Sequence, residues 1–148
     1  MTPVYQTVID QGSGDCERAA IASLLDLPLS EVPNFREGLN PGDATPSIRE
    51  EWLRGRGLKK LRVPVEGTEG YLCEAGDNGP IYCLGTVPSQ MFENTTHSVV
   101  CRINGFDNGV WIEVVHDPNP NNRPYRYAEI QVLTFFISTR FEANEQRN

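Results

Sequence analysis

Positive charge is scarce in this chain: 13 lysines and arginines stand against 20 aspartates and glutamates, a formal charge of −7. A nucleic-acid partner demands a basic face to neutralise its phosphates, so no DNA or RNA partner is expected. Long apolar runs are missing too. No stretch approaches the ~18 apolar residues of a membrane span, and the opening MTPVYQTVIDQGSG has neither the basic n-region nor the apolar h-region of a secretory signal. The expectation is a cytoplasmic protein without a membrane partner. The two histidines do not stand at H-x-x-x-H spacing, and Cys16, Cys73, Cys83 and Cys101 contain no C-x-x-C pair. No metal and no other cofactor is therefore expected. In a reducing compartment the four cysteines read as free thiols. The G-x-S-x-G elbow of a serine hydrolase is also absent.

What is present is an ordinary globular composition, 39% hydrophobic and 22% charged over 148 residues, enough for one core. Residues 1–140 read as one domain, and the polar FEANEQRN (141–148) as a frayed tail. GSGDCERAAIASLLDLP reads as a loop entering a helix. Gly12 and Gly14 supply flexibility, Asp15 is a candidate cap, Cys16 opens the helix, and Pro28 forbids its continuation. This helix is small and apolar, so it should be buried centrally. LPLSEVPNF suggests a short helical turn. TPSIREEWLRGRG reads as a second helix with Thr45 as N-cap and Pro46 in the first position. From Leu58 the period shifts towards two. LKKLRVPV, PIYCLGTV, HSVVCRI, VWIEVV and EIQVLTFFIS are strand-like, and the third and fourth form an antiparallel hairpin across Asn104–Asn108. Helices first and an antiparallel sheet after make an α+β domain.

One basic run, Arg54, Arg56, Lys59, Lys60 and Arg62, could meet an acidic partner but lacks the interleaved aromatics of a single-strand groove. Trp52, Trp111, Phe135 and Phe136 read as core or cleft wall. The glycine-rich 66–79 segment and the Pro88–Thr96 loop are candidates for lining a cleft.

A cysteine at a helix N-terminus has its thiolate favoured by unpaired N–H groups and the helix dipole, which singles out Cys16. Cys83 and Cys101, inside strands, should be inert. A thiolate nucleophile needs an imidazole within reach and a third group to orient it. If the 97–103 and 110–116 strands pair across their turn, His97 lies opposite His116 and beside Asp117, a carboxylate that could equally start an Asp-Pro turn. His116 remains as cleft wall or turn stabiliser.

Taken together, Gln6, GDCERAAIASLL, THSVV and VVHDPNP resemble the papain-like cysteine hydrolases, and within them the peptidases that cleave bacteriocin leaders. The resemblance implies a papain-like fold, with the nucleophile helix on an antiparallel sheet, and a protein or peptide substrate. It assigns Cys16 as nucleophile, His97 as base, Asp117 as its orienting acid and Gln6 as oxyanion donor. Two departures stand out: Glu17 follows Cys16 where the family often has glycine, and Gln6 lies ten residues before Cys16 instead of about six. Gln11 is the rival donor. The same thioacyl chemistry can end in hydrolysis, transfer to an amine or deamidation, and such a fold can also bind a partner without turnover. The opening, LDLPLSEVPNF and HDPNP are also similar to small bacteriophage proteins, which implies a host protein or conjugate as the target.

Overall fold

The computed structural model describes residues 1–106 and 109–139; the 141–148 tail and the tip of the Asn104–Asn108 turn lie outside them. Helix α1 (Cys16–Leu24) comes first, then a single 3-10 turn (Leu29–Glu31), α2 (Ile48–Gly55), strand β1 (Leu58–Pro64), α3 (Glu69–Ala75), β2 (Ile81–Pro88), β3 (Thr96–Ile103), β4 (Ile112–His116), a 3-10 turn (Tyr127–Glu129) and β5 (Val132–Ser138). The strands form one antiparallel sheet in the order β1-β5-β2-β3-β4. Helix and antiparallel sheet segregate along the chain as an α+β reading expects, with α3 as the exception. Among the described residues no helix is long and apolar enough to cross a membrane.

Alternation along the strands splits the interior in two. Val99, Cys101 and Ile103 of β3 join Val87, Ile112, Leu133 and Leu72 of α3 on one face. Val100 joins Leu84 and Ala20, Ile21 and Ala22 of α1 on the other, with Phe136 packed against them. Because α1 offers mainly alanines to the sheet, its backbone can approach closely. Ala19 through Ser23 are all buried, and truncating Ile21 alone should cost about 2–5 kcal/mol. Ser23, the polar member of that run, is satisfied: its hydroxyl donates to the Ala19 carbonyl (2.9 Å) and accepts the Val4 N–H (2.9 Å).

Three local expectations are corrected. Helix α2 begins after Ser47, which holds the N-cap position without a side-chain cap bond; Thr45 lies outside the helix, its hydroxyl accepting from Arg36 Nη1 at 2.8 Å. The 66–79 segment is no cleft loop but contains α3, which packs Leu72 and Cys73 inward. The β3–β4 register puts His116 opposite Val100 instead of His97 and contains a bulge, since Cys101 pairs with Val114 and leaves Val115 extra.

Gly85 marks the tightest point of the sheet. It lies between Val99 and Leu133 on the neighbouring strands, and a methyl group there would sit 2.4 Å from Cys101 Sγ and 3.1 Å from Val99 Cγ2. Gly85→Ala is expected to destabilise by about 1–3 kcal/mol through overpacking. In a Cys101→Ala background most of that penalty should vanish, which urea unfolding of the four proteins of the cycle would measure; equal penalties in both backgrounds would contradict the contact.

Candidate active site

Cys16 is the first residue of α1, and the first four N–H groups of a helix lack partners within it. Asp15 stands at the N-cap position but makes no side-chain cap bond, contrary to the sequence expectation. Its carboxylate, 1% exposed, is turned away to receive the Thr7 N–H (2.9 Å), the Val8 N–H (2.8 Å) and the Thr7 hydroxyl (2.9 Å), with Arg18 Nη1 at 3.6 Å. The amides beside Cys16 are thus left without a side-chain cap, and the amino-terminal segment is drawn against the helix start.

The same segment is tied down along its length. Val4 N–H meets Ser23 Oγ, Gln6 N–H donates to the Pro118 carbonyl at 3.1 Å, and His116 Nε2–H donates to the Val4 carbonyl at 2.7 Å. His116, edge-on to Tyr5, therefore anchors this segment and does not line the cleft. Val8 and Asp15 also exchange a backbone bond, Asp15 N–H to Val8 O at 3.2 Å. Residues 9–14 are consequently a loop thrown out between two bonded positions, and the long Gln6-to-Cys16 spacing is taken up there. Gly12 in that loop is a matter of room more than flexibility: a Cβ would lie 2.5 Å from the Asn40 carbonyl carbon.

His97 and Asp117 meet, with Nε2 2.6 Å from Oδ1, but not for the reason the register arithmetic offers. Side chains on one strand alternate between faces, and a shift of one residue exchanges them. The extra residue at Val115 sends His116 to the α1 face opposite Val100 and returns Asp117 to the face of Val99 and His97. An unbulged strand would have put Asp117 on the wrong side. Nε2 being held by Asp117, Nδ1 is the ring nitrogen left to face Cys16, which lines the same cleft and contributes to raising the imidazole's pKa. Tyr125 stacks on the imidazole with centroids 6.2 Å apart and is fixed by its own bond to the Pro88 carbonyl (2.9 Å).

Burial by itself would lower the pKa of His97, but hydrogen bonds to Asp117 and Cys16 and their charges outweigh it and raise the value to about 9. Burial likewise works to raise Asp117, and is overcome by the bond from His97 and the amide of Asn119, so its carboxyl is held below the usual range. Asn119 N–H donates to Oδ1 (2.8 Å) and Asn122 Nδ2 to Oδ2 (3.0 Å). Asp117 is thus both turn starter and partner of His97. The sequence reasoning missed Asn119, Asn122 and Tyr125; the Asp-to-i+2 amide bond of an Asx turn in HDPNPNN was the available signal for the first.

Cys16, His97, Gln6, Gln11, Asn119 and Asn122 all face one cleft of about 540 Å³, closed on the far side by the 88–96 loop. Gln11 is committed to Thr95 Oγ1 (3.2 Å). One N–H of the Gln6 amide goes to the Val8 carbonyl (3.1 Å), leaving its second N–H; Gln6 Oε1 is buried without a partner among the described residues. All four cysteines are free, three of them buried. Burial pushes the Cys83 thiol up to about 12 and raises Cys101 as well. Among the described residues no group of three His, Cys, Asp or Glu side chains could hold a metal ion.

No family model matches the sequence and no curated protein matches it significantly. Among solved structures the chain is similar in fold to the peptidase domain of Streptococcus ComA, a bifunctional ABC transporter involved in quorum sensing. The TM-score is 0.56 at 15% identity, over 93% of this chain and 99% of that one. This likeness is one of fold; it accords with the peptidase resemblance and lends no support to the bacteriophage one.

The raised pKa of His97 has a sign. Its contribution to stability is complete below the unfolded value, near 6.5, and is lost as pH rises through about 9. Stability should therefore decline across that window in the wild type and decline less in Asp117→Asn. In the same variant the His97 imidazole, followed by NMR with His116→Gln to separate the chain's two histidines, should titrate clearly lower than in the wild type, because the carboxylate's bond and charge no longer oppose burial. A His97 pKa that stays near 9 without the carboxylate would refute this account.

Proposed function

We propose that the protein is a papain-like cysteine peptidase or amidase acting through Cys16, His97 and Asp117. The observation that carries the reading is that Cys16, at the start of α1, shares one cleft with His97, whose Nε2 is held at 2.6 Å by the half-buried Asp117; that cleft is large enough for several residues of an extended peptide. The ComA likeness supports it at the level of fold.

In this mechanism Cys16 is paired with a protonated His97. The thiolate sulfur attacks an amide carbonyl carbon, and the developing oxyanion takes the Cys16 backbone N–H and the second N–H of the Gln6 side chain. Preorganised donors of this kind act without reorganising as charge develops. Collapse of the tetrahedral intermediate breaks the C–N bond, with the His97 proton passing to the departing amine. Neutral His97 then removes a proton from water, which attacks the thioester and restores the thiol pair. Asp117 holds the ring in the orientation that presents Nδ1 to sulfur throughout. Glu17 in place of the family's glycine leaves the helix start intact, because its carboxylate swings out to Arg49 Nη1 at 2.7 Å.

The first test is the pH dependence of iodoacetamide alkylation at each cysteine, in wild type and His97→Ala. Cys16 is expected to react rapidly well below the ordinary thiol pKa of about 8.5 and to lose that advantage without His97, while Cys83 and Cys101 stay silent. Cys16 reacting as an ordinary thiol in both proteins would sink the peptidase reading in favour of a binding module. For turnover on a peptide substrate, Cys16→Ala should be inactive, and Gln6→Ala should lose about 10²–10³ in kcat with the fold retained. Product masses would separate hydrolysis from amine transfer and deamidation.

A further inference from the structure

A second cavity of about 340 Å³ adjoins the catalytic cleft, and Glu17, Thr45, Thr96 and Ser98 line both. In a chain of charge −7 its lining is unexpectedly basic: Arg49 from α2 and Lys60 and Arg62 from β1, against the single carboxylate of Glu17. The floor is the α1 face of the sheet. Towards the helix that face is apolar, with Leu84, Val100 and Phe136 packed under it, and Leu84 and Phe136 form the apolar edge of the pocket itself. Beyond the helix start the same alternation presents hydroxyls instead. Thr86 lies directly opposite Ser98, and Thr134 opposite Arg62. None of the Thr86, Ser98 and Thr134 side chains has a hydrogen-bond partner among the described residues. None of the three is among the buried unpartnered atoms of the described residues, so the hydroxyls stand open to whatever enters the pocket.

The three cations are not equally engaged. Arg49 is 2.7 Å from Glu17 and 2.8 Å from Glu50, and Lys60 is 2.9 Å from Glu50. Arg62 has no ion-pair partner among the described residues. Glu17 and Glu50 between them offset Arg49 and Lys60, so the charge left for a ligand is that of one guanidinium, a planar fork matched to a carboxylate. A dianion would also face Glu17.

We infer that this pocket is a subsite for a carboxylate of the substrate, an acidic side chain or a chain end. Arg62 takes its oxygens and the Thr86, Ser98 and Thr134 hydroxyls donate to it. The inference rests on the peptidase reading for its place in a reaction: the pocket shares Glu17, Thr45, Thr96 and Ser98 with the cleft that holds Cys16 and His97, so the carboxylate belongs to a residue of the same bound peptide near the attacked bond. It also gives part of the basic run, Lys60 and Arg62, a role.

The test uses the full chain carrying Cys16→Ala, which cannot turn over, on an array of matched peptides differing only as Glu or Gln, Asp or Asn, and free or amidated C-terminus. Carboxylate members should be retained about tenfold better, the scale of one charged hydrogen-bonded contact, and salt should weaken the preference. Arg62→Gln, at an exposed position, should abolish it. Selectivity for Glu and Asp assigns the subsite to a side chain, and selectivity for free C-termini assigns it to a chain end. Equal retention of the matched members, or a preference surviving both Arg62→Gln and Lys60→Gln, would overturn the inference. Cleavage of the retained peptides by the wild type is read separately: acid-selective retention without cleavage would remove the peptidase and keep the pocket.

Discussion

A carboxylate that is 1% exposed has to be met by donors, because burying it unpaired would cost several kcal/mol. Asp15 meets this constraint with the backbone of Thr7 and Val8, and much of the site's geometry follows. Had Asp15 capped α1, its oxygen would have occupied amides next to Cys16, and residues 2–8 would have lost the grip that holds Gln6 in the cleft. Ser23, His116 and Pro118 each hold a further point on the same segment. The result is an irregular stretch with few backbone bonds of its own, positioned by side chains from α1 and by the end of β4.

The second determinant is topological. A side chain at a helix start and one on a strand can face the same cleft only where the helix start overhangs the strand, and an imidazole on that strand is held only by a group on its own face. β3 supplies His97 at its first turn of alternation, and the bulge at Val115 does the rest. That extra residue divides the labour of His116 and Asp117, sending one to each face, so that adjacent residues serve the amino-terminal segment and the imidazole separately. Asn119 and Asn122 then hold Asp117 from the far side, giving a half-buried anion three donors counting His97.

Much of this was legible in the residues. The strands announce themselves by β-branched alternation, and α1 by an alanine-rich run that Pro28 cannot continue. That Cys16, His97 and Asp117 would come together was legible, because the chain has few residues of these types and the helix start and strand runs place them. What was not legible is non-local or depends on a single residue. The insertion of β5 between β1 and β2 leaves no local signal. α3 is hidden by the glycines around Glu69–Ala75, whose propensity is outweighed by burial of Leu72 and Cys73. The β3–β4 register was read as a regular hairpin, and a bulge cannot be seen in alternation when Val114, Val115 and His116 are all compatible with either face. Asp15 was read by its local preference for capping, and a long-range demand from Thr7 and Val8 overrode it.

The same contest between local and long-range demand explains the charge distribution beside the cleft. Inward positions on a sheet face under a helix are expected to be apolar, and Leu84, Val100 and Phe136 obey this. Thr86, Ser98 and Thr134 do not, although they lie on the same strands and the same face. The difference is that α1 begins at Cys16 and covers only part of the sheet. Where the cover ends, water can enter, hydroxyls become tolerable and Arg49, Lys60 and Arg62 can project inward without full desolvation. At physiological salt, fields of exposed charges fade within about 8 Å, so cations in such a recess act on what enters it more than on the approach from solution. In an acidic chain this means that attraction for an anionic group in the recess beside the cleft would select among peptides already bound there, not gather them from a distance.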